Sequence, residues 1–315
     1  MASLTSQTIA NSYEQLLSLP DGGGDTTTLV AITDGDAGTT FALKVATTSI
    51  SVGATNRIYL DGGGNTYLYE SAADEVTLAC GGELIRMADG TGTGENTIYG
   101  IGAGLSLDAD SDQNVFIGAN VADAALSASD ANVGVGHNAL SALQTSPYNI
   151  AIGKDALLSF TGTGNSNTVI GALAGDALLT GGDNTIMGQA AGGATTVGNS
   201  MVIIGRNAGA GVLTADATGS VFVGVSAGAA VTEGIGNVAV GAYALDAATD
   251  SDYNTAVGHQ ALTAMTGTAG TVGNTAVGSQ SGLAITIGKY NVAVGHQALL
   301  AEDVGDTTVA IGYQA

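Results

Sequence analysis

The chain contains no tryptophan, a single cysteine and only 6 Lys and Arg among 315 residues. Each shortage closes off a class of function. A glycosidase cleft pairs carboxylates with stacking aromatics, and without Trp the usual sugar platform is missing. Cys80 stands alone, which excludes an intramolecular disulfide and says little about compartment. Against the few cations stand 28 Asp and Glu, giving a net charge of -22. Such a surface repels phosphate backbones and anionic lipids, so nucleic acid is not an expected partner. No apolar run reaches the roughly 18 residues that signal a membrane span. Met1-Ala-Ser-Leu-Thr-Ser lacks the basic start and apolar middle of a secretion signal. Neither membrane insertion nor a secretory leader is expected.

Glycine is abundant, with 50 residues, and the hydrophobic 45% is mostly Ala, Val, Ile and Leu. With aromatics at 4% and charged residues at 11%, the interior must be thin and repetitive rather than one large core. The pattern behind this composition is clearest at Asn291-Val-Ala-Val-Gly295-His-Gln-Ala298-Leu299. Anchored on its glycine, it recurs at Gly100, Gly118, Gly136, Gly153, Gly171, Gly188, Gly205, Gly224, Gly241, Gly258, Gly278, Gly295 and Gly312, thirteen copies spaced 17 to 20 residues apart. A fixed short period over two thirds of a chain predicts a stacked solenoid, in which each unit buries its apolar face against its neighbours.

Numbering positions from the anchor glycine, position −1 is apolar in every copy and position −3 is Thr, Val or Ile, from Thr97 to Val309. These two columns share one strand face. Position −2 points the other way and is also uncharged: Ile98, Phe116, Gly134, Ala151, Val169, Ile186, Ile203 and Phe222, then Ala239, Ala256, Ala276, Ala293 and Ala310. A strand apolar on both faces must be covered on both. The expectation is that −3 and −1 face the coil interior, while the alanines at −2 face identical neighbours in an obligate oligomer.

Position −4 is Asn in ten copies, among them Asn149, Asn167, Asn237, Asn254, Asn274 and Asn291. Stacked at the ~4.8 Å strand spacing, such residues can form a rung-to-rung ladder, and Asn also tolerates the left-handed backbone of a tight corner. The anchor glycine and the Ala at +3 mark a second corner, and position +4 alternates irregularly between Leu and Gly. A coil of this length leaves room for two short strands, and thirteen rungs give a rod of roughly 60 Å. Helix pairs need a longer period, and Gly, Asn and Val at fixed places oppose helix.

Residues 1–20 are expected to be an anchoring helix, with Ile9, Tyr13, Leu16 and Leu17 on one face and Pro20 as the stop, or an arm that orders on assembly. Residues 21–95 read as a small β module: a hairpin around Asp34-Gly-Asp-Ala-Gly38, another across Asp61-Gly-Gly-Gly64, and a third across Gly81-Gly82. The Asp-Gly-Gly-Gly pieces at 21 and 61 lack the Lys-Ser/Thr and strand-to-helix setting of a phosphate loop. The repeat array fills residues 96–315.

Candidate chemistry is sparse. His137, His259 and His296 all sit at +1; histidines from several chains meeting on an axis could hold an ion, and the plainer reading is an outward polar position. Asp108-Ala-Asp110-Ser-Asp112 has the opening spacing of a calcium loop but lacks its glycine and closing acid, and it reads as an exposed acidic turn, as does Asp246-Ala-Ala-Thr-Asp250-Ser-Asp252. Tyr148, Tyr243, Tyr253 and Tyr290 lie near corners, where they can contact glycans or pack over neighbouring turns. No catalytic residue, cofactor or metal ligand set is expected.

The element Asn-x-Ala-Val-Gly-x-x-Ala, at Asn237, Asn254 and Asn291, with Ser281 replacing the last Ala in the Asn274 copy, resembles the left-handed parallel β-roll repeats in the heads of trimeric autotransporter adhesins. It looks equally like repeats of bacteriophage tail fibres and tailspikes. Ser6-Gln-Thr-Ile-Ala-Asn-Ser-Tyr-Glu-Gln-Leu-Leu17 and Ile58-Tyr-Leu-Asp-Gly-Gly-Gly-Asn-Thr-Tyr-Leu resemble the start of phage tail-fibre proteins. The resemblance implies a homotrimeric, non-enzymatic virion fibre, attached to other tail proteins through its N-terminus and offering a rod to a host surface receptor, glycan or protein. The alternatives are a bacterial surface adhesin head and a polysaccharide-depolymerising tailspike. An adhesin of that type also carries a secretion signal and a C-terminal barrel, and neither pattern occurs in these residues. The array breaks off within a repeat at Ala315, which leaves room for a longer natural chain. The segments 105–113, 141–148, 213–219 and 263–273 are the expected recognition loops.

Overall fold

The computed structural model describes residues 96–315 apart from 109, 125, 214–217, 267–269 and 302, and before residue 96 it describes the backbone of seven strands. Ile9, Tyr13, Leu16, Leu17 and the expected helix lie outside the described residues, as do both Asp-Gly-Gly-Gly pieces. The contacts divide the chain into two compact units, Met1–Leu84 and Ile85–Ala315. Ahead of the array, Val30–Thr33, Thr40–Ala46 and Ser49–Val52 form an antiparallel three-stranded sheet. Ile58–Tyr59, Tyr67–Ala72, Glu75–Cys80 and Glu83–Met87 form a four-stranded sheet in that order.

The array is a parallel β-solenoid of about twelve turns, and no helix occurs among the described residues. Each copy contributes one three-residue strand at positions −3 to −1, from Thr97–Tyr99 to Val309–Ile311, and all thirteen join one sheet in sequence order. Neighbours pair in parallel without a shift, so Val238, Ala239 and Val240 face Thr255, Ala256 and Val257. A second strand per coil does not form as a continuous sheet. On the far wall, the pairs among the described residues include Ser251–Asp252 with Gly270–Thr271 and a bridge between Thr180 and Val197.

The inside and outside of the strand are the reverse of the expectation from sequence. Position −2 is the buried one: Phe116, Ala151, Val169, Ile186, Ile203, Phe222, Ala239, Ala256 and Ala276 have no solvent exposure, and Ala293 has 1%. Positions −3 and −1 are half-buried or exposed along the whole sheet. Ala239, Ala256, Ala276 and Ala293 therefore cannot meet a partner chain. Ala310 is half-buried in the last rung, on the same inward column. Small residues stand there because the opposite wall fills the space, and not because another molecule approaches.

That exchange explains the irregular Leu and Gly at +4. Where −2 is large, +4 is small: Ile98 with Gly104, Phe116 with Ala122, Val169 with Gly175, Ile186 with Gly192, Ile203 with Gly209, and Phe222 with Gly228. Where −2 is Gly or Ala, +4 is Leu: Gly134 with Leu140, Ala151 with Leu157, Ala239 with Leu245, Ala256 with Leu262, and Ala293 with Leu299. The Gly278 rung departs, having Ala276 and Gly282. There Leu262 of the preceding rung and Ile285 supply the bulk, standing 2.8 and 3.0 Å from where a Cβ on Gly282 would be. A close-packed interior tolerates neither a gap nor a clash, so the two columns covary in size. Leu at +4 adopts positive φ, between 49° and 56° in five copies, a conformation costing a side chain about 1–2 kcal/mol. Full burial of a Leu, worth roughly 1.5–3 kcal/mol, offsets that cost.

The anchor glycine cannot be anything else. Its φ lies between 129° and 148°, and a Cβ on any of the first twelve anchors would stand 1.9 to 2.7 Å from the carbonyl oxygen of the next anchor. The anchor column, including Gly136, Gly153, Gly171, Gly188, Gly241, Gly258, Gly278 and Gly295, is thus a line of backbone packed directly on backbone.

Asparagine at −4 is buried inside the corner, and its ladder differs from simple side-chain stacking. The Oδ1 of Asn237 accepts the backbone N–H of Asn254 at 2.9 Å, while its Nδ2 donates to the carbonyl of Ser251 at 2.7 Å. Both partners lie in the following rung, so each asparagine clamps the next coil. Asn167, Asn184, Asn274 and Asn291 repeat the arrangement. Asn149 accepts the N–H of Asn167 at 3.1 Å but turns its Nδ2 toward Asn132 Oδ1 and the carbonyls of Ser146 and Pro147. The left-handed residue of this corner is not the asparagine but its predecessor: Tyr148, Ser166, Asp183, Gly236, Tyr253, Gly273 and Tyr290 all have φ near +60°.

Candidate functional site

The coil presents three surfaces: the outer face of the sheet, and a flank on either side of it. The outer face consists of positions −3 and −1, and none of these twenty-six residues is charged. Tyr99 is 52% exposed, and Ile152, Met187 and Val277 are close to 40%. Charge is absent from every position from −4 to the anchor in all thirteen copies.

The flank after the anchor carries positions +1 and +2. Position +2 has positive φ in all thirteen copies, whatever the side chain, so the same backbone turn recurs there in every rung. All three histidines lie exposed at +1. The sequence reading missed the use of +2, because Asn, Asp, Leu, Ala, Ser, Tyr and Gln alternate there with no shared type. In the last rungs it becomes an amide ladder. Gln280 Nε2 donates to Gln260 Oε1 at 3.2 Å, Gln297 to Gln280 at 2.9 Å, and Gln314 to Gln297 at 2.9 Å. Beside this ladder, Tyr243 meets His259 edge to face at 6.3 Å, and His296 stacks on Tyr313 at 5.6 Å.

Earlier on the same flank, Asn138 Nδ2 donates to Asp155 Oδ1 at 2.9 Å, Lys154 pairs with the other oxygen, and His137 lies 3.9 Å away. The Lys154 bond, against the opposing effect of burial and with help from Asn138, lowers the Asp155 carboxyl below its ordinary range. Burial instead raises Asp176 and Asp246, and Asp246 Oδ1 is buried without a hydrogen-bond partner.

The acidic turns are used by the coil itself. Ser111 Oγ donates to Asp108 Oδ1 at 2.7 Å, which lowers that carboxyl, and the N–H of Asp112 donates to Asp130. Asp252 accepts the N–H of Ile235, and Asp250 accepts from Thr249. Among the described residues no group of three His, Cys, Asp or Glu is placed to hold a metal ion. No helix among them is long and apolar enough to cross a membrane. On the opposite flank, Tyr148, Tyr253 and Tyr290 are each more than half exposed, with Tyr253 lying over Gly236 and Tyr290 over Gly273. Of the expected recognition segments, 105–113 carries an exposed Leu105, 141–148 ends on Tyr148, and Gly219 closes 213–219 in open space.

The sites thus brought together are an uncharged sheet face and a polar, partly aromatic flank. In comparisons with known proteins, no family model matches the chain, and neither a curated protein nor a solved structure is significantly similar to it.

Proposed function

We propose that the chain is a non-enzymatic structural fibre of a phage virion: a homotrimer that attaches to other tail proteins through its N-terminus and presents the solenoid for host recognition. The observation that carries the reading is the uncharged outer face, unbroken over thirteen rungs in a chain of net charge -22. At ~4.8 Å per rung and ~10 Å per three-residue strand the face covers about 600 Å². That footprint lies at the top of the range for the largest apolar patch of a typical monomer, roughly 300–600 Å², and such patches are often functional.

A second copy is the natural cover, since only another solenoid repeats its ridges at the same spacing. Identical neighbours then meet through positions −3 and −1, with the acidic turns held outward where like charges are solvated. The three-fold count comes from the resemblance of Asn237, Asn254 and Asn291 to fibre and adhesin repeats, and the virion and the tail partners come from the resemblance of residues 6–17 and 58–68 to the start of phage tail-fibre proteins. A bacterial surface adhesin head uses the same architecture, and an image of the source particle or cell surface separates the two. Neither nucleic acid nor membrane insertion enters this reading, and the host receptor is taken up below.

The assembly is tested by light scattering on the purified full chain. Three times the mass of one chain is expected, and Val240→Asp with Val257→Asp should give a folded monomer, because both side chains point out of the coil. A stable monomer for the unaltered chain overturns the reading.

A further inference from the structure

We infer that the +1 and +2 flank of the last five rungs, from Gly241 to Gly312, is a binding strip for an uncharged oligosaccharide laid along the coil axis. The inference deepens the receptor part of the proposed function and rests on that reading only for its biological role.

Charge makes the first part of the case. From Val225 and Ser226 through Ala242, Tyr243, His259, Gln260, Ser279, Gln280, His296 and Gln297 to Tyr313 and Gln314, the two columns contain no Asp, Glu, Lys or Arg. The same columns in earlier rungs hold Lys154, Asp155 and Arg206. A polyanion finds no fixed cation here and meets a strongly acidic molecule, so the strip suits a neutral ligand.

Geometry makes the second. Tyr243 is 41% exposed and its ring is held by the His259 imidazole, and His296 stacks on the ring of Tyr313. An aromatic ring fixed in place and open on one side accepts the apolar C–H face of a sugar with little loss of side-chain entropy. Between the two rings runs the glutamine ladder. Each inner amide of the ladder spends one N–H and one lone pair on its neighbours, which leaves a second N–H and a second lone pair for hydroxyl groups. These recur at the ~4.8 Å rung spacing, already oriented by the ladder and by the left-handed backbone at Gln260, Gln280 and Gln297. Rings for the faces of a sugar and paired donors and acceptors for its hydroxyls thus lie on one line. A protein partner would need a buried apolar centre, which this flank lacks.

The test uses the full chain with cellohexaose, maltohexaose, mannohexaose and chitohexaose as neutral probes and an oligogalacturonate as the acidic one. Saturation-transfer NMR reports contact, and tyrosine fluorescence, free of any tryptophan background, reports affinity. At least one neutral hexasaccharide is expected to bind, with saturation passing from the protein to the C–H protons of its sugar rings. Tyr243→Ala or His296→Ala, both at exposed positions outside the coil interior, should weaken binding about tenfold. Melting temperature and scattering mass should stay unchanged. Two separate variants guard against one failing to fold. Binding of no neutral probe, binding of the acidic probe alone, or affinities untouched by both variants overturns the inference. The scattering mass reads the fibre proposal independently.

Discussion

The ring of Phe222 occupies the space that a side chain at Gly228 would need: a Cβ there would stand 2.6 Å from the ring's Cδ1. The two residues belong to one coil and face each other across its interior. They are the most extreme case of a size exchange that runs the length of the array.

Phe222→Ala should therefore cost about 3–5 kcal/mol as a cavity opens between the walls. Adding Gly228→Leu should recover a large part of it, because neighbouring rungs already pair Ala239 with Leu245 in this way. Gly228→Leu alone should destabilise by overpacking, about 1–3 kcal/mol or more. Denaturation of the three variants closes a double-mutant cycle, and additive losses would show that the columns do not share space.

The anchor column makes a sharper contrast. In Gly258→Ala, the new methyl would stand 2.4 Å from the Gly278 carbonyl oxygen, so the coils must part. Gly219 has positive φ but nothing within 4 Å of a Cβ, so Gly219→Asn should change stability by less than about 1 kcal/mol. Circular dichroism during thermal melting checks both, and equal effects would rule out the backbone contact as the cause.

Removing a ladder asparagine should act at one corner. Asn184 accepts the N–H of Met201 at 3.0 Å and donates to the Gly198 carbonyl at 2.8 Å. Asn184→Ala leaves both groups unsatisfied, a loss of roughly 2–4 kcal/mol. Hydrogen exchange should accelerate first at the Met201 amide. Unchanged protection there would show that water or a neighbour replaces the side chain.

Two kinds of carboxylate should respond oppositely to acid. Asp155 has a lowered folded pKa, so it contributes stability above its unfolded pKa and loses it as pH falls through the folded value. Asp246, raised by burial, disfavours folding while charged, and that penalty disappears as pH falls through its folded pKa. Asp246→Asn should raise the melting temperature at neutral pH, with the gain shrinking in acid, whereas Asp155→Asn should lower it at neutral pH and lose its effect in acid. Melting curves across pH 3 to 8 check the signs.

The period, the anchor glycines, the strand at −3 to −1 and the asparagine column were legible because each is a repeated residue type at a fixed place, whereas the room for a second strand in each coil did not become a second continuous sheet. The direction of the strand was not legible, because both of its faces are uncharged and alternation alone cannot say which is inside. The decisive signal was present but unread: Phe116 with Ala122 and Ala239 with Leu245 change size together, and columns that compensate one another must touch. The left-handed +2 column escaped for the opposite reason. Its conformation is common to all copies while its residues are not, so the backbone of the neighbouring rungs imposes it, as the N–H of Gln260 bonded to the Ala242 carbonyl illustrates.

The parallel sheet also sets how the array bears a load. Its strands cross the coil axis, so the hydrogen bonds between rungs run along that axis, the direction in which a pull between Asn96 and Ala315 acts. Such bonds open in sequence from one end rather than together in shear. Each 17-residue coil that peels away exchanges one ~4.8 Å rung for nearly 60 Å of extended chain, a gain of about 50 Å in length. Under tension the array would dissipate work coil by coil, yielding stepwise where a shear-loaded sheet would snap.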